Sequence, residues 1–311
     1  MQPTTTEVAA RPATRPGVLA CLAVLLLPAL VVLLGDARFH SGSDAGGKAA
    51  TVELIADRGL DGVDVGYWAE AADPDGTHHP MINTKRTDVG WVQVTSAVLP
   101  SAAALGARVA GDHGALWLSM LAVPLGALAA ARLSRRLGGG AGWVAFVVVG
   151  ALSPLTFYGA DQWEHAPALA LGLWAVALLV ERPDGRTALL AGLTAGAAVV
   201  LRREIVFFLL FLGLAELLVA AGRAHRTRRP GHRIVPVLIG GGLTLAVGFV
   251  FDREVTGGTT GGRSATQAAR AGSELAERLS DAVLTTVVQY PRLGFAEIVL
   301  GVAALAGMVM A

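Results

Sequence analysis

The sequence predicts an all-α polytopic membrane protein with about eight transmembrane helices. A large first extracytoplasmic loop, carrying an amphipathic surface helix, completes the expectation. Three observations predict it. Hydrophobic residues make up 53% of the 311 residues and charged residues only 16%, where soluble domains carry about 25% charge. The apolar residues gather into runs close to the roughly 20 that cross a bilayer core. The arginines stand in short clusters between those runs, the pattern that orients membrane helices.

The first run, Gly17 to Leu34, follows a polar stretch, 1–16, that holds Arg11 and Arg15. Basic residues in front of a run with no small-residue cleavage site predict a retained signal anchor and a cytoplasmic N-terminus. VLAC at 18–21 is similar to a lipoprotein cleavage site, but the apolar run follows Cys21 instead of preceding it, so Cys21 reads as a helix residue. One cysteine excludes an internal disulfide and a cysteine zinc cluster. The net charge is +1 and no basic face is interleaved with aromatics, so nothing points to nucleic acid.

Residues 36–113 form the first outer loop. Ala49, Val52, Leu54 and Ile55 make an apolar stripe at helical spacing, with Asp44, Lys48, Glu53, Asp57 and Arg58 polar. That predicts a short helix lying on the membrane surface. "DVGYWAEAADPDGTHHP" reads as strand or extended loop punctuated by PDG. Val89 to Ala107 lacks charge but carries Gln93, Thr95, Ser96, Pro100 and Ser101, and is read as not crossing.

The remaining candidate crossings are Ala115 to Ala131, Trp143 to Tyr158, Ala166 to Val180, Thr187 to Leu201, Ile205 to Ala221, Ile234 to Phe251 and Leu293 to Ala311. The basic clusters are Arg132, Arg135 and Arg136; Arg182 and Arg186; and Arg223, Arg226, Arg228, Arg229 and Arg233. All fall on the cytoplasmic side when Thr187 to Ala221 forms a hairpin. No Gly or Pro separates Leu201 from Ile205, so one long helix is the alternative, but it would put the strongest basic loop outside. Besides 36–113, the outer segments are then 159–165, 202–204 and 253–292. The last opens with the Gly-rich "DREVTGGTTGGRSATQ" and continues as an amphipathic helix around Ala268 to Val288. Residues 17–311 are read as one transmembrane domain, whose end inside an apolar run suggests a piece of a longer protein.

The unusual polar residues gather on the outer side. Asp161, Glu164 and His165 are spaced i, i+3, i+4 and share a face if the helix of Ala166 starts early, with Trp163 pointing elsewhere as an interface anchor. Acidic residues there also complement a helix dipole. Arg202, Arg203 and Glu204 interrupt a nearly continuous apolar run of 35 residues, 187–221. A charge at mid-membrane costs about 2.5–3.5 kcal/mol, so a carboxylate or an anionic ligand is expected beside them. His78 and His79 lack a third ligand at fixed spacing, so no metal site is assigned. A divalent cation is left open.

"SGSDAGGKAATVELIADRG", "DVGYWA", "SPLTFYGADQWEHAPAL" and "GLTAGAAVVLRREIVFFLL", in that order after one N-terminal helix, together resemble the integral-membrane C-type (GT-C) glycosyltransferases of bacterial envelopes. The resemblance implies transfer of a sugar from a polyprenyl-phosphate donor, with inversion, to a glycan, lipid or protein acceptor at the outer face of the bacterial cytoplasmic membrane. It implies Asp44 as the catalytic base. The family's frequent pair of acidic residues is reduced here to Asp44 followed by Ala45. Donor-binding candidates are Lys48, Lys85, Arg86, Asp161, Glu164, His165, Arg202, Arg203 and Glu204, since guanidinium forks match phosphate oxygens. Two other classes compete. A polytopic transporter or lipid flippase would use the same buried charges, but the discontinuous helices at matching places in two halves that mark transporters are not evident. A membrane scaffold would need no convergence of Asp44, His165 and Arg202.

Overall fold

The computed structural model describes residues 16–35, 43–81, 84–138, 142–181, 184–208, 213 and 234–257. They are mostly helical. Helix α1 (Val18–Leu34) buries only the stripe Val24, Pro28 and Val32, at a spacing of four that keeps one face inward. Its other faces expose Leu19, Leu22, Leu26 and Leu30. Helix α2 (Ser43–Arg58) runs into a 3-10 turn at Gly59–Val63. Next comes an antiparallel ribbon of β1 (Thr84–Thr87) and β2 (Gly90–Gln93), with Arg86 opposite Trp91 and Thr84 opposite Gln93.

Helix α3 (Val98–Ala115) breaks at Ala110 and Gly111. Gly111 has φ +59° and ψ −146°, a conformation essentially reserved for glycine. The stretch before the break is about 20 Å long at 1.5 Å per residue, too short for a bilayer core of about 30 Å. The expectation that Val89 to Ala107 does not cross has a physical basis here, because a strand and a short helix share it. The expected strand or extended loop over "DVGYWAEAADPDGTHHP" is instead a series of turns, and the strands lie after it.

The bundle consists of α4 (Trp117–Gly138), α5 (Gly142–Ala151), α6 (Pro154–Gly159), α7 (His165–Glu181), α8 (Gly185–Leu201) and α9 (Ile234–Thr256). Helix α4 runs through RLSRRL instead of ending before it, so Arg132, Arg135 and Arg136 are helical. The expected single crossing Trp143 to Tyr158 is corrected to two helices. Ser153 caps α6 by accepting from Leu155 N at 3.2 Å, its hydroxyl donates to Val149 O at 2.6 Å, and Pro154 occupies the first turn, where its missing N–H costs nothing. Val24, Val123, Ala127, Phe146, Leu155 and Ala166 form the main core across α1 and α4 to α7.

Helices α8 and α9 meet through glycine. A methyl group on Gly192 would overlap Val237 O, one on Gly240 would overlap Leu189 O, and Gly196 faces Gly241. Small residues of this kind let helix backbones approach in membranes. At the far end of α9, buried Asp252 accepts from Ala97 N at 2.8 Å and from Ser96 Oγ at 3.1 Å. The carboxylate therefore caps the start of α3 from another helix, meeting the unsatisfied N–H groups there. Val63, Val92, Ala97 and Val255 pack around this junction.

Among the described residues, two helices are long and apolar enough to cross a membrane, Trp117–Leu137 and Ile234–Thr256. Helices α1, α7 and α8 are apolar and 17 residues each. Helix α8 ends at Leu201: Arg202 is extended at φ −144° and ψ 106°, and a new turn begins with Ile205 N bonding Arg202 O. One unbroken helix from Thr187 to Ala221 is thereby excluded. The return half of the expected hairpin beyond Phe208 lies outside the described residues, as do the expected helices around 268–288 and 293–311 and the loop start at 36–42.

Candidate functional site

The site begins with the glycines of α2. At Gly47 the helix has no side chain, and a methyl group there would overlap the Gln93 amide of β2. The ribbon therefore lies close against α2 at Gly47, and the next residue, Lys48, is 1% exposed. This differs from the expected polar face. Lys48 shares the inward side with Val52 and Ile55, which pack on Ala103 and Ala104 of α3. A buried ammonium is tolerable only when paired. Lys48 Nζ donates to Asp44 Oδ2 at 2.6 Å, one helical turn earlier, and to Glu164 Oε2.

Glu164 is the residue before α7, and its carbonyl accepts from Ala168 N at 2.9 Å. It sits at the positive end of the helix dipole, while its side chain spans the gap to α2. Its other oxygen lies 3.8 Å from Arg202 Nη1. Arg202 also places Nη1 3.0 Å from His165 Nδ1 and Nε 3.7 Å from the exposed carboxylate of Glu204. A guanidinium only donates, so Nδ1 is the accepting nitrogen and the neutral ring carries its proton on Nε2. The two ion pairs of Arg202 exceed hydrogen-bond length, so most of its five N–H donors are unspent among the described residues.

His165 is held flat. Its ring stacks on Tyr158 at 4.6 Å and on Trp163 at 4.5 Å. Trp163 thus belongs to the site and is not an anchor pointing elsewhere. Sequence spacing could not reveal this, because residues 160–164 form a turn with no helical period. The same turn corrects the shared-face reading of Asp161. Asp161 is buried, and its Oδ1 accepts from Gln162 N at 2.7 Å.

The chain brings together Asp44, Lys48, Glu164, His165, Arg202 and Glu204 from three separate stretches. It leaves Lys85, Arg86 and Arg203 elsewhere. Arg203 is exposed beside the break. Arg86 pairs with Glu70 at 2.6 Å on the ribbon, and Lys85 shares the ribbon face of Val92. His79 is used structurally: Met81 N donates to its Nδ1 at 3.1 Å, Nε2 lies 3.2 Å from Gly66 O, and the ring packs between Tyr67 and Trp91. Among the described residues no group of three His, Cys, Asp or Glu is placed to hold a metal ion.

Unpaired buried polar atoms mark the site. Asp44 Oδ1 is buried and has no hydrogen-bond partner among the described residues, and neither has Gln162 Oε1. Gln162 is 1% exposed and was not singled out by spacing or charge. Beside the cluster runs an apolar groove of about 710 Å³ between α3, α4, α7, α8 and α9, lined by Leu105, Trp117, Leu121, Pro167, Leu201 and Phe251 among others. Its lining includes Leu201, which immediately precedes Arg202, and Pro167, two residues after His165. No protein-family model, curated protein or solved structure matches the chain.

Proposed function

We propose that the protein is a membrane glycosyltransferase that takes a sugar from a polyprenyl-phosphate donor and passes it to a hydroxyl acceptor at the extracytoplasmic face of the bacterial cytoplasmic membrane. One observation carries the reading: an apolar groove is lined by Leu201, the residue before a guanidinium with spare donors, and a carboxylate with an unpaired oxygen lies within the same charge network. A lipid-linked phosphate needs that combination, because its tail stays in apolar surroundings and its head seeks fixed cations.

In this reading Asp44 Oδ1 takes the proton of the attacking hydroxyl, while Lys48 holds Oδ2 and so fixes the direction of the free oxygen. The acceptor oxygen forms the new bond to the anomeric carbon. The carbon–oxygen bond to the lipid phosphate breaks, and its electron pair stays with the phosphate. Arg202 stabilises that charge as it develops, and the Nε2–H of His165 offers one more donor. Glu164 keeps Lys48 and Arg202 in register. Cytoplasmic placement of the N-terminus and eight crossings remain part of the proposal.

The test is transfer of labelled sugar from polyprenyl-phosphate donors by membranes containing wild type, Asp44→Asn or Arg202→Gln. Loss of transfer in both variants, with normal insertion, is the expected result. Equal incorporation by wild type and Asp44→Asn would remove the base. A transporter using the same charges would move a polar solute across sealed vesicles and form no glycosidic bond, so the product itself separates the two readings.

A further inference from the structure

The apolar groove is one of two cavities beside the cluster. The other, about 540 Å³, lies along the neighbouring flank of α2, within the about 300–1,000 Å³ range of small-molecule sites. Gly46, Ala49 and Ala56 give it one wall, Ala107, Gly111 and Ala115 another. Helix α3 divides the two spaces: Leu105 lines the groove, while Ala107 and Gly111 line the second cavity. The left-handed Gly111 ends the straight part of α3 there, and Asp112 follows it onto the cavity wall.

The chemistry of the lining is one-sided. Among the described residues its polar side chains are Glu53, Asp112 and Gln162, and no lysine or arginine lines it. Gln162 is buried on all sides, yet its Oε1 has no partner among the described residues. A buried amide oxygen without a partner is costly, and a bound donor group would offset that cost. Two carboxylates and an amide oxygen ask for hydroxyl donors and repel an anion. The small Ala and Gly walls leave room for the flat carbon faces of a sugar.

We infer that this cavity binds the acceptor, a neutral, hydroxyl-rich glycan, through Gln162, Glu53 and Asp112. The inference rests on the glycosyltransferase reading. The cavity lining draws on the two stretches that carry the reacting centre: Gly46 belongs to the same turn of α2 as Asp44 and Lys48, and Gln162 lies two residues before Glu164. In this reading an acceptor lies along α2 with its end toward Asp44, and the donor lies on the far side of α3.

The experiment uses the chain's one cysteine to advantage. The Cys21→Ser/Ala49→Cys protein is placed in lipid nanodiscs, free of glycoside detergents, and labelled with a small maleimide. Ala56→Cys provides a second position on the same wall if the first folds poorly. The probes are linear trisaccharides of neutral hexoses and pentoses, with inorganic phosphate as the control and undecaprenyl phosphate binding measured in parallel by tryptophan fluorescence. With a trisaccharide at about ten times its Kd, labelling slows about tenfold by mass action. Gln162→Leu removes that protection and leaves undecaprenyl phosphate binding intact. Failure of every glycan to protect, or protection by phosphate instead, overturns the acceptor cavity. Undecaprenyl phosphate binding that survives such a failure leaves the donor reading standing. Glycan protection without any undecaprenyl phosphate binding does the reverse.

Discussion

Lys48 Nζ donates to both Asp44 and Glu164, and so joins α2 to the start of α7 across 116 positions of sequence. The ammonium is almost fully buried. Pairing of this kind gives modest net stability but makes each partner costly to remove, because the remaining charges stay buried.

Lys48→Ala is therefore expected to destabilise the protein by about 3–5 kcal/mol, the cost of leaving an uncompensated buried charge. Lys48→Met combined with Glu164→Leu should recover much of the loss. Chemical denaturation in detergent, arranged as a double-mutant cycle, measures the coupling. Additive losses would show that the pair is not formed.

Asp44→Asn keeps the shape of the residue and an oxygen for Lys48 but removes the proton acceptor. Transfer should fall by about 10²–10⁴, with little change in donor affinity. Arg202→Lys should weaken donor binding, because an ammonium cannot reproduce the guanidinium fork. Initial rates against donor concentration separate the two effects.

The α8–α9 contact predicts a steric result. Gly192→Val places a branched side chain against Val237 O, where even a methyl group overlaps. Overpacking costs about 1–3 kcal/mol or more, and the thermal midpoint should drop. Gly172→Ala is the control, because nothing lies within 4 Å of a methyl group there.

Asp252→Ala should free the start of α3, at a cost of about 0.5–2 kcal/mol, the usual value of a helix cap. Hydrogen exchange at Ala97 N reports it directly. An Asn at 252 keeps an accepting oxygen and should lose less.

Between α2 and β1, Asp73 accepts from His78 N at 2.8 Å, Thr77 N at 3.1 Å and Tyr67 OH at 2.8 Å. The His78 N–H, ahead of the Tyr67 hydroxyl and the Thr77 N–H, holds the Asp73 carboxyl below its usual range. Partial desolvation, with the Asp73 hydrogen bond and charge, pushes the Tyr67 hydroxyl up. A depressed carboxylate contributes stability that is complete above its unfolded value, about 3.9, and is lost as pH falls through the folded value. The difference in thermal midpoint between wild type and Asp73→Asn should be largest near neutrality and vanish in acid. A difference that stays constant with pH would remove Asp73 from this role.

The sequence by itself determined the helical, apolar character of the chain, the placement of most helices, and the short list of charges that do not belong in such runs. Those follow from local chemistry: run length, the clustering of arginines between runs, and the cost of charge near lipid. It also placed Asp44, Glu164, His165 and Arg202 among the candidates. The tertiary structure decided which of them meet. Lys48 looks like a polar-face residue on a helical wheel, and only the tertiary structure buries it and brings Glu164 to it. The break after Leu201 has no Gly or Pro. Arg202 adopts an extended backbone there while its side chain contacts His165 and Glu164, and no local signal carries a contact across 37 positions. The Ser-Pro break in 152–154 was written in the residues, yet its apolar flanks read as one run. Gln162 and the two cavities were beyond sequence altogether, because a cavity is defined by what several distant elements leave unfilled.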